Sequence, residues 1–104
     1  MHIDVLTLFP ELFPGPLGAS VVGRAAEREL ATVGTVDVRD FAADKRGTVD
    51  EKPYGGGPGM LMMAEPLTLA LESVRRPDSV VVMTTPRGER FDQKLARELA
   101  ACSH

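Results

Sequence analysis

Two stretches of this chain have residue types and spacings suited to chemistry, and both offer backbone groups more than side chains. The first is Tyr54-Gly55-Gly56-Gly57-Pro58-Gly59-Met60, which follows Asp50, Glu51, Lys52 and Pro53. Glycine admits positive φ and lets another molecule approach the main chain closely, while proline holds the residue before it extended. The segment reads as a loop of bare amides with a defined path, running into the apolar Met60-Leu61-Met62-Met63. It is not a phosphate loop of the nucleotidase kind, because no Lys-Ser or Lys-Thr follows the last glycine. Nor is it a dinucleotide fingerprint, since its glycines are contiguous and no helix-opening pattern follows at once. The second stretch is Thr84-Thr85-Pro86-Arg87-Gly88, a common kind of turn whose amides and hydroxyls can hold a small polar ligand.

Charge around the first stretch is mixed, with Arg39, Lys45, Arg46 and Lys52 interleaved among Asp40, Asp44, Asp50 and Glu51. Taken alone, that is the pattern of a solvated face. The formal charge of −3 gives the chain no overall attraction to nucleic acid, so any RNA contact has to be local. Cys102 is the single cysteine, which excludes an internal disulfide and argues against structural zinc. His2 and His104 stand at opposite ends and read as incidental, and no metal ligand is assigned. A hydrophobic fraction of 43% and a charged fraction of 26% are those of a globular protein. With no leader pattern and no apolar run of membrane-spanning length, the expectation is a cytoplasmic protein without a membrane.

The elements that must position these stretches follow from periodicity. Ile3 to Leu8 is dense in branched apolar residues and predicts a strand. Pro10-Glu11 suits the first turn of a short helix, which Pro14-Gly15-Pro16 should end. A second helix fits Ser20 to Leu30, with Ser20 as cap and Gly34 as exit, followed by a strand over Thr35 to Arg39. No periodicity survives from Phe41 to Gly59, which is usual for functional or mobile segments. Glu65-Pro66 opens a helix through Val74, and Asp92 starts a last one through Ala100. Between them Val80-Val81-Val82-Met83 reads as the clearest strand, apolar on both faces as in a covered parallel sheet. The alternation predicts an α/β fold, a mostly parallel sheet flanked by helices. Thr84 to Gly88 would then follow the carboxyl end of a strand, where open sheets bind ligands.

Three runs together resemble the bacterial tRNA (guanine-N1)-methyltransferases of the SPOUT trefoil-knot class. They are Leu8-Phe9-Pro10-Glu11 with Val22-Gly23-Arg24-Ala25; Arg39-Asp40-Phe41 through Arg46-Gly47-Thr48-Val49-Asp50; and, most specific, Pro53 through Met62. The resemblance implies methyl transfer from S-adenosyl-L-methionine to N1 of the guanosine immediately 3′ of the anticodon, with Mg2+ as a possible requirement. It implies a homodimer acting on a tRNA anticodon stem-loop. Residues 1–104 would form the N-terminal portion of the SPOUT domain, without the knot-forming segment, the helical C-terminal domain or any catalytic residue, and would be inactive alone.

By the same resemblance, Met83, Thr84, Thr85, Pro86 and Gly88 line the cofactor. Asp50, Pro58 and Gly59 face RNA, and Arg24, Lys45 and Arg46 contact its phosphates. Where family members commonly have Ser-Pro-Gln-Gly, this chain has Thr85-Pro86-Arg87-Gly88, which keeps a hydroxyl but introduces a bulkier cation at Arg87. Two other readings stand beside this one: a noncatalytic half-domain for dimerisation or RNA binding, and a nucleotide-binding module that uses the Gly-rich loop.

Overall fold

The first strand, β1 (His2–Thr7), lies parallel to β2 (Thr32–Asp37), with His2 opposite Thr32 and Asp4 opposite Gly34, in a computed structural model that describes residues 1–104. The connection between them is helical. A 3-10 turn at Pro10–Leu12 leads into α1 (Pro14–Leu17), so Pro14-Gly15-Pro16 builds a helical turn instead of ending one, proline being tolerated where a first-turn amide has no partner. Next comes α2 (Ser20–Glu27). Ser20 does not cap it: Ala19 occupies the capping position and no side chain bonds to the open amides.

α2 stops three residues before the expected Leu30. Glu29 sits at φ 56, its amide bonds to the Ala26 carbonyl, and that of Leu30 bonds to Ala25. This is the Schellman closure, made here without glycine. Gly34, expected as a helix exit, is instead inside β2, where it leaves room for the Asp4 carboxylate across the pair.

β2 ends at Asp37, earlier than its apolar alternation suggested. The Asp37 carboxylate accepts from the Arg39 amide at 2.8 Å and turns the chain into a 3-10 segment, Val38–Phe41. That turn drives Val38 inward, where it is fully buried with Val49 and Ala70. Leu6, Leu8, Val36, Phe41, Ala42 and Leu67 close around these three. Ala70 comes from α3 (Ala64–Val74), which packs on the Val38 turn and on β1. A two-residue antiparallel ladder, β3 (Asp50–Glu51) with β4 (Leu61–Met62), carries the Gly-rich loop. The final helix, α4 (Gln93–Ala100), begins as expected: Asp92 accepts from the Leu95 amide at 2.9 Å.

One expected element is missing. Val80 to Met83 forms no strand, and these residues are 49%, 53%, 60% and 78% exposed. Only Val80 has a backbone partner, the His104 carbonyl at 2.9 Å. Ladder hydrogen bonds need a neighbouring strand, and apolar side chains need cover; the run has neither. The radius of gyration, 15.8 Å, exceeds the roughly 13 Å expected of a compact chain of this length. The architecture is thus α/β, with its packed part around β1, β2 and α3 and an open stretch, Val80 to Lys94, in which every residue is exposed.

Candidate nucleic-acid and cofactor surfaces

Asp50, Pro58 and Gly59 are brought onto one hairpin. Its base is fixed by the Asp50–Met62 and Glu51–Leu61 pairs and by the Met63 amide bonding to the Val49 carbonyl at 2.8 Å, which ties it to the core. Above that base Gly55, Gly56, Gly57 and Gly59 have φ of 78°, 80°, 112° and 98°, a region in which side-chain-bearing residues are strained. A Cβ at any of these four would meet nothing within 4 Å, so the glycines are required for backbone path and not for packing. Gly56 donates to the Pro53 carbonyl, closing the turn, while the amides of Tyr54, Gly55, Gly57 and Gly59 have no partner in the chain. Tyr54 is 86% exposed at the tip, its hydroxyl 3.4 Å from Glu51. The hairpin therefore presents free donors and an aromatic face on a rigid base, a combination that can stack on and approach an unpaired base.

The bend before the hairpin has its own framework. Asp44 accepts from the Thr48 amide at 2.8 Å and the Thr48 hydroxyl at 2.7 Å. These bonds, the backbone one foremost, hold its carboxyl below the usual range. Arg39 reaches the Gly47 carbonyl at 3.3 Å, with Gly47 at φ 71. Between Asp44 and Gly47, Lys45 and Arg46 are exposed and make no ion pair. Arg24, also exposed, is carried by a separate element, α2.

Met83, Thr84, Thr85, Pro86 and Gly88 are all exposed. The Gly88 amide bonds to the Thr85 carbonyl at 3.1 Å and that of Arg87 to the Thr85 hydroxyl at 3.3 Å, so Thr85 shapes the turn with both its backbone and its side chain. A Cβ on Gly88 would stand 3.2 Å from Thr85 Cγ2 and 3.3 Å from its carbonyl oxygen, which leaves little room for any larger residue. The amides of Val81 through Thr85 bond to nothing in the chain. Because the preceding strand is not formed, Thr84 to Gly88 does not follow a strand's carboxyl end here. A separate cleft of about 420 Å³, lined by Glu72, Arg75, Arg76 and Pro77, shares no residue with either surface and has no hydrophobic side chain in its lining.

Sequence reasoning set aside His2 and His104, yet the structure joins them. Both reach Asp4, which lies between their Nε2 atoms at 3.1 and 2.9 Å. Burial works to raise the Asp4 pKa, but the hydrogen bonds from His104 and His2 and their charges outweigh it, and the carboxyl lies below its ordinary value. No local spacing signals a group spread over a hundred positions.

With this geometry in view, the model of the tRNA (guanine-1)-methyltransferase family, TrmD, matches residues 1–104. The chain belongs to this family. The tRNA (guanine-N(1)-)-methyltransferase of Carboxydothermus hydrogenoformans is 46% identical over 104 residues, covering 100% of this chain and 41% of the relative. That of Geobacter sulfurreducens is 50% identical over 102 residues, covering 96% and 42%. Among solved structures, the tRNA (m1G37) methyltransferase from Aquifex aeolicus matches with a TM-score of 0.78 at 35% identity, over 95% of this chain and 45% of that one. The α/β architecture is that of part of the TrmD fold, and the chain spans about two-fifths of the length of the curated relatives it matches. No helix is long and apolar enough to cross a membrane.

Proposed function

We propose that this chain is part of a cytoplasmic, homodimeric tRNA (guanine-N1)-methyltransferase that uses S-adenosyl-L-methionine to methylate N1 of the guanosine 3′ of the anticodon, the position named for the Aquifex relative. The Gly-rich hairpin carries the proposal: it combines four positive-φ glycines, free amides and an exposed tyrosine on a base tied to the core. N1 of guanine lies on the pairing edge and bears a proton at neutral pH, so methylation requires an unstacked base. Pro58 and Gly59 would let that nucleotide approach main chain, and Asp50, at the hairpin's base, would accept from guanine nitrogens. Arg24, Lys45 and Arg46 would neutralise phosphates, giving position and salt dependence without reading sequence.

The residues present fit one side of the methyl donor. Amides of Thr84 and Thr85 are free, and the Thr85 turn holds them in a fixed order beside Met83, Pro86 and Gly88. S-adenosyl-L-methionine held there would supply an electrophilic methyl group. The proton from N1 would pass to a base outside these 104 residues. The one group of three or more His, Cys, Asp or Glu side chains able to converge on an ion contains two imidazoles, a donor set unlike the oxygen ligands of Mg2+.

The test is Gly59→Val in the full-length enzyme. A valine at φ 98 in open space strains the backbone and fills the approach path without touching the core. Methylation kcat/KM for tRNA should fall by at least about tenfold, or about 1.4 kcal/mol of transition-state stabilisation, with cofactor affinity retained. Wild-type methylation at wild-type stability would make the loop a spacer. The exposed Val80–Met83 run favours a second reading for the 104 residues taken alone, a half-domain that pairs or binds RNA without catalysis. Saturable S-adenosylmethionine binding by the 104-residue chain in calorimetry would remove that reading.

A further inference from the structure

The His2–Asp4–His104 group is built, not incidental. His2 and Asp4 are two apart on β1 and so share a face of the strand. Opposite them on β2 stand Thr32 and Gly34, in the same order. Gly34 leaves the carboxylate its place: a Cβ on it would lie 2.6 Å from Asp4 Oδ1 and push it aside. Thr32 supplies the other contact, its hydroxyl 2.6 Å from His2 Nδ1. His104 arrives from the far end of the sequence with its Nδ1 on the Ser79 hydroxyl, which itself accepts from the Arg76 amide. The His104 side chain is 7% exposed and that of Asp4 13%, and the two imidazoles stack with centroids 5.5 Å apart. Each ring is thus held by a hydroxyl at Nδ1 and aims Nε2 at one carboxylate.

We propose that His2, Asp4 and His104 bind one divalent transition-metal ion, zinc by its ligand chemistry, which clips β1 to the Ser79–Val80 and Ser103–His104 segments. The ligand atoms, one from each residue, all lie within 4.8 Å of one another, with His2 Nε2 3.1 Å from Asp4 Oδ1 and His104 Nε2 2.9 Å from Asp4 Oδ2. Donors around a tetrahedral zinc with bonds near 2.0–2.1 Å stand about 3.4 Å apart, so the group needs small side-chain shifts and no rebuilding. Two imidazoles and a carboxylate select zinc, cobalt or nickel over magnesium or calcium. Binding requires both Nε2 atoms unprotonated, so each Nδ1 must carry the proton and donate it in a hydrogen bond. Thr32 and Ser79 permit this because a hydroxyl accepts as readily as it donates. Any proton held at Nε2 or lost from an imidazolium leaves to solvent. Three protein ligands leave a fourth position for water.

The site is tested in the intact protein after stripping with a chelator. Zinc titration in a calorimeter should show one more saturable ion per chain in wild type than in a His2→Gln, His104→Gln double variant. Cobalt should give a visible d–d band stronger than that of aqueous cobalt, present in wild type and absent from the double variant. Because losing His104 also removes its bond to Ser79, Thr32→Val serves as a milder variant: it keeps all three ligands and should weaken zinc binding by about tenfold. Zinc should raise the Tm of wild type and leave the double variant unmoved. The proposal is overturned if wild type gives no enhanced cobalt band, if the double variant keeps the full complement of zinc, or if binding vanishes with Cys102→Ser instead.

Discussion

β1 and the Val80–Met83 run both read as strands in the sequence and have opposite outcomes. β1 pairs along its whole length with β2, and its Leu6 packs on the buried cluster of Val38, Val49 and Ala70. Val80–Met83 is more uniformly apolar, yet it forms no strand, stays exposed and makes a single backbone hydrogen bond. The difference lies in neighbours. A strand is a relation between segments, and β-branched residues state only a readiness to enter one. The same contrast separates the two candidate surfaces: the hairpin stands on a finished core, while the Thr84–Gly88 turn extends from a segment that lacks cover on both faces.

Truncating each region gives the largest test of that contrast. Leu6→Ala in the 104-residue chain should cost about 2 kcal/mol by leaving a gap beside Val38, whereas Val82→Ala should change stability by less than about 0.5 kcal/mol. Chemical denaturation reads both, and equal losses would mean that the Val80 run is packed in solution. Next in size is Gly57→Ala, which places a Cβ at φ 112 and should cost about 1 kcal/mol through backbone strain alone, since no neighbour crowds it. Amide exchange sharpens the comparison without mutation. The β1–β2 ladder should be protected while Val81 to Thr85 exchange at nearly unfolded rates; in a chain of the relatives' full length the latter should become protected too.

The smallest effect is electrostatic and belongs to the bend that supports the hairpin. Asp44 has a folded pKa below its unfolded value, so its bonds to Thr48 contribute stability that is complete above the unfolded pKa, near 3.8, and is lost as pH falls through the folded one. Asp44→Asn should lower stability slightly at neutral pH and converge with wild type below about pH 4, which flattens the acid limb of the profile. A profile of unchanged shape in acid would mean that the Thr48 bonds do not persist in solution.

What could be read from the sequence was local. The Gly-rich loop, the Asp92 cap and the apolar faces of β1 and α3 each depend on residues within a few positions, and each appears close to where periodicity puts it. The misreadings have local causes too. Glu29 closes α2 in a left-handed conformation usually left to glycine, and Asp37 ends β2 through a side-chain bond that competes with the ladder. The rest was nonlocal. Whether Val80–Met83 becomes a strand depends on what lies beside it, and the His2–Asp4–His104 group exists only when both ends of the sequence meet. The candidate phosphate contacts are legible as exposed cations, but Arg24 stands on a different element from Lys45 and Arg46, and no pattern relates them.

The bond from the His2 amide to the Ser103 carbonyl, 2.8 Å, also sets a schedule. β2 covers one edge of β1 early in synthesis, but the other edge must wait for the residue made about a hundred positions later. At roughly 5–20 residues per second that is about 5 to 20 s during which a nascent strand presents an open edge to every other nascent chain nearby. A charged residue in the middle of an exposed strand discourages such pairing. Asp4 occupies that place, so Asp4→Val should raise aggregation during expression, in addition to the lower melting temperature expected from losing its bonds to His2 and His104.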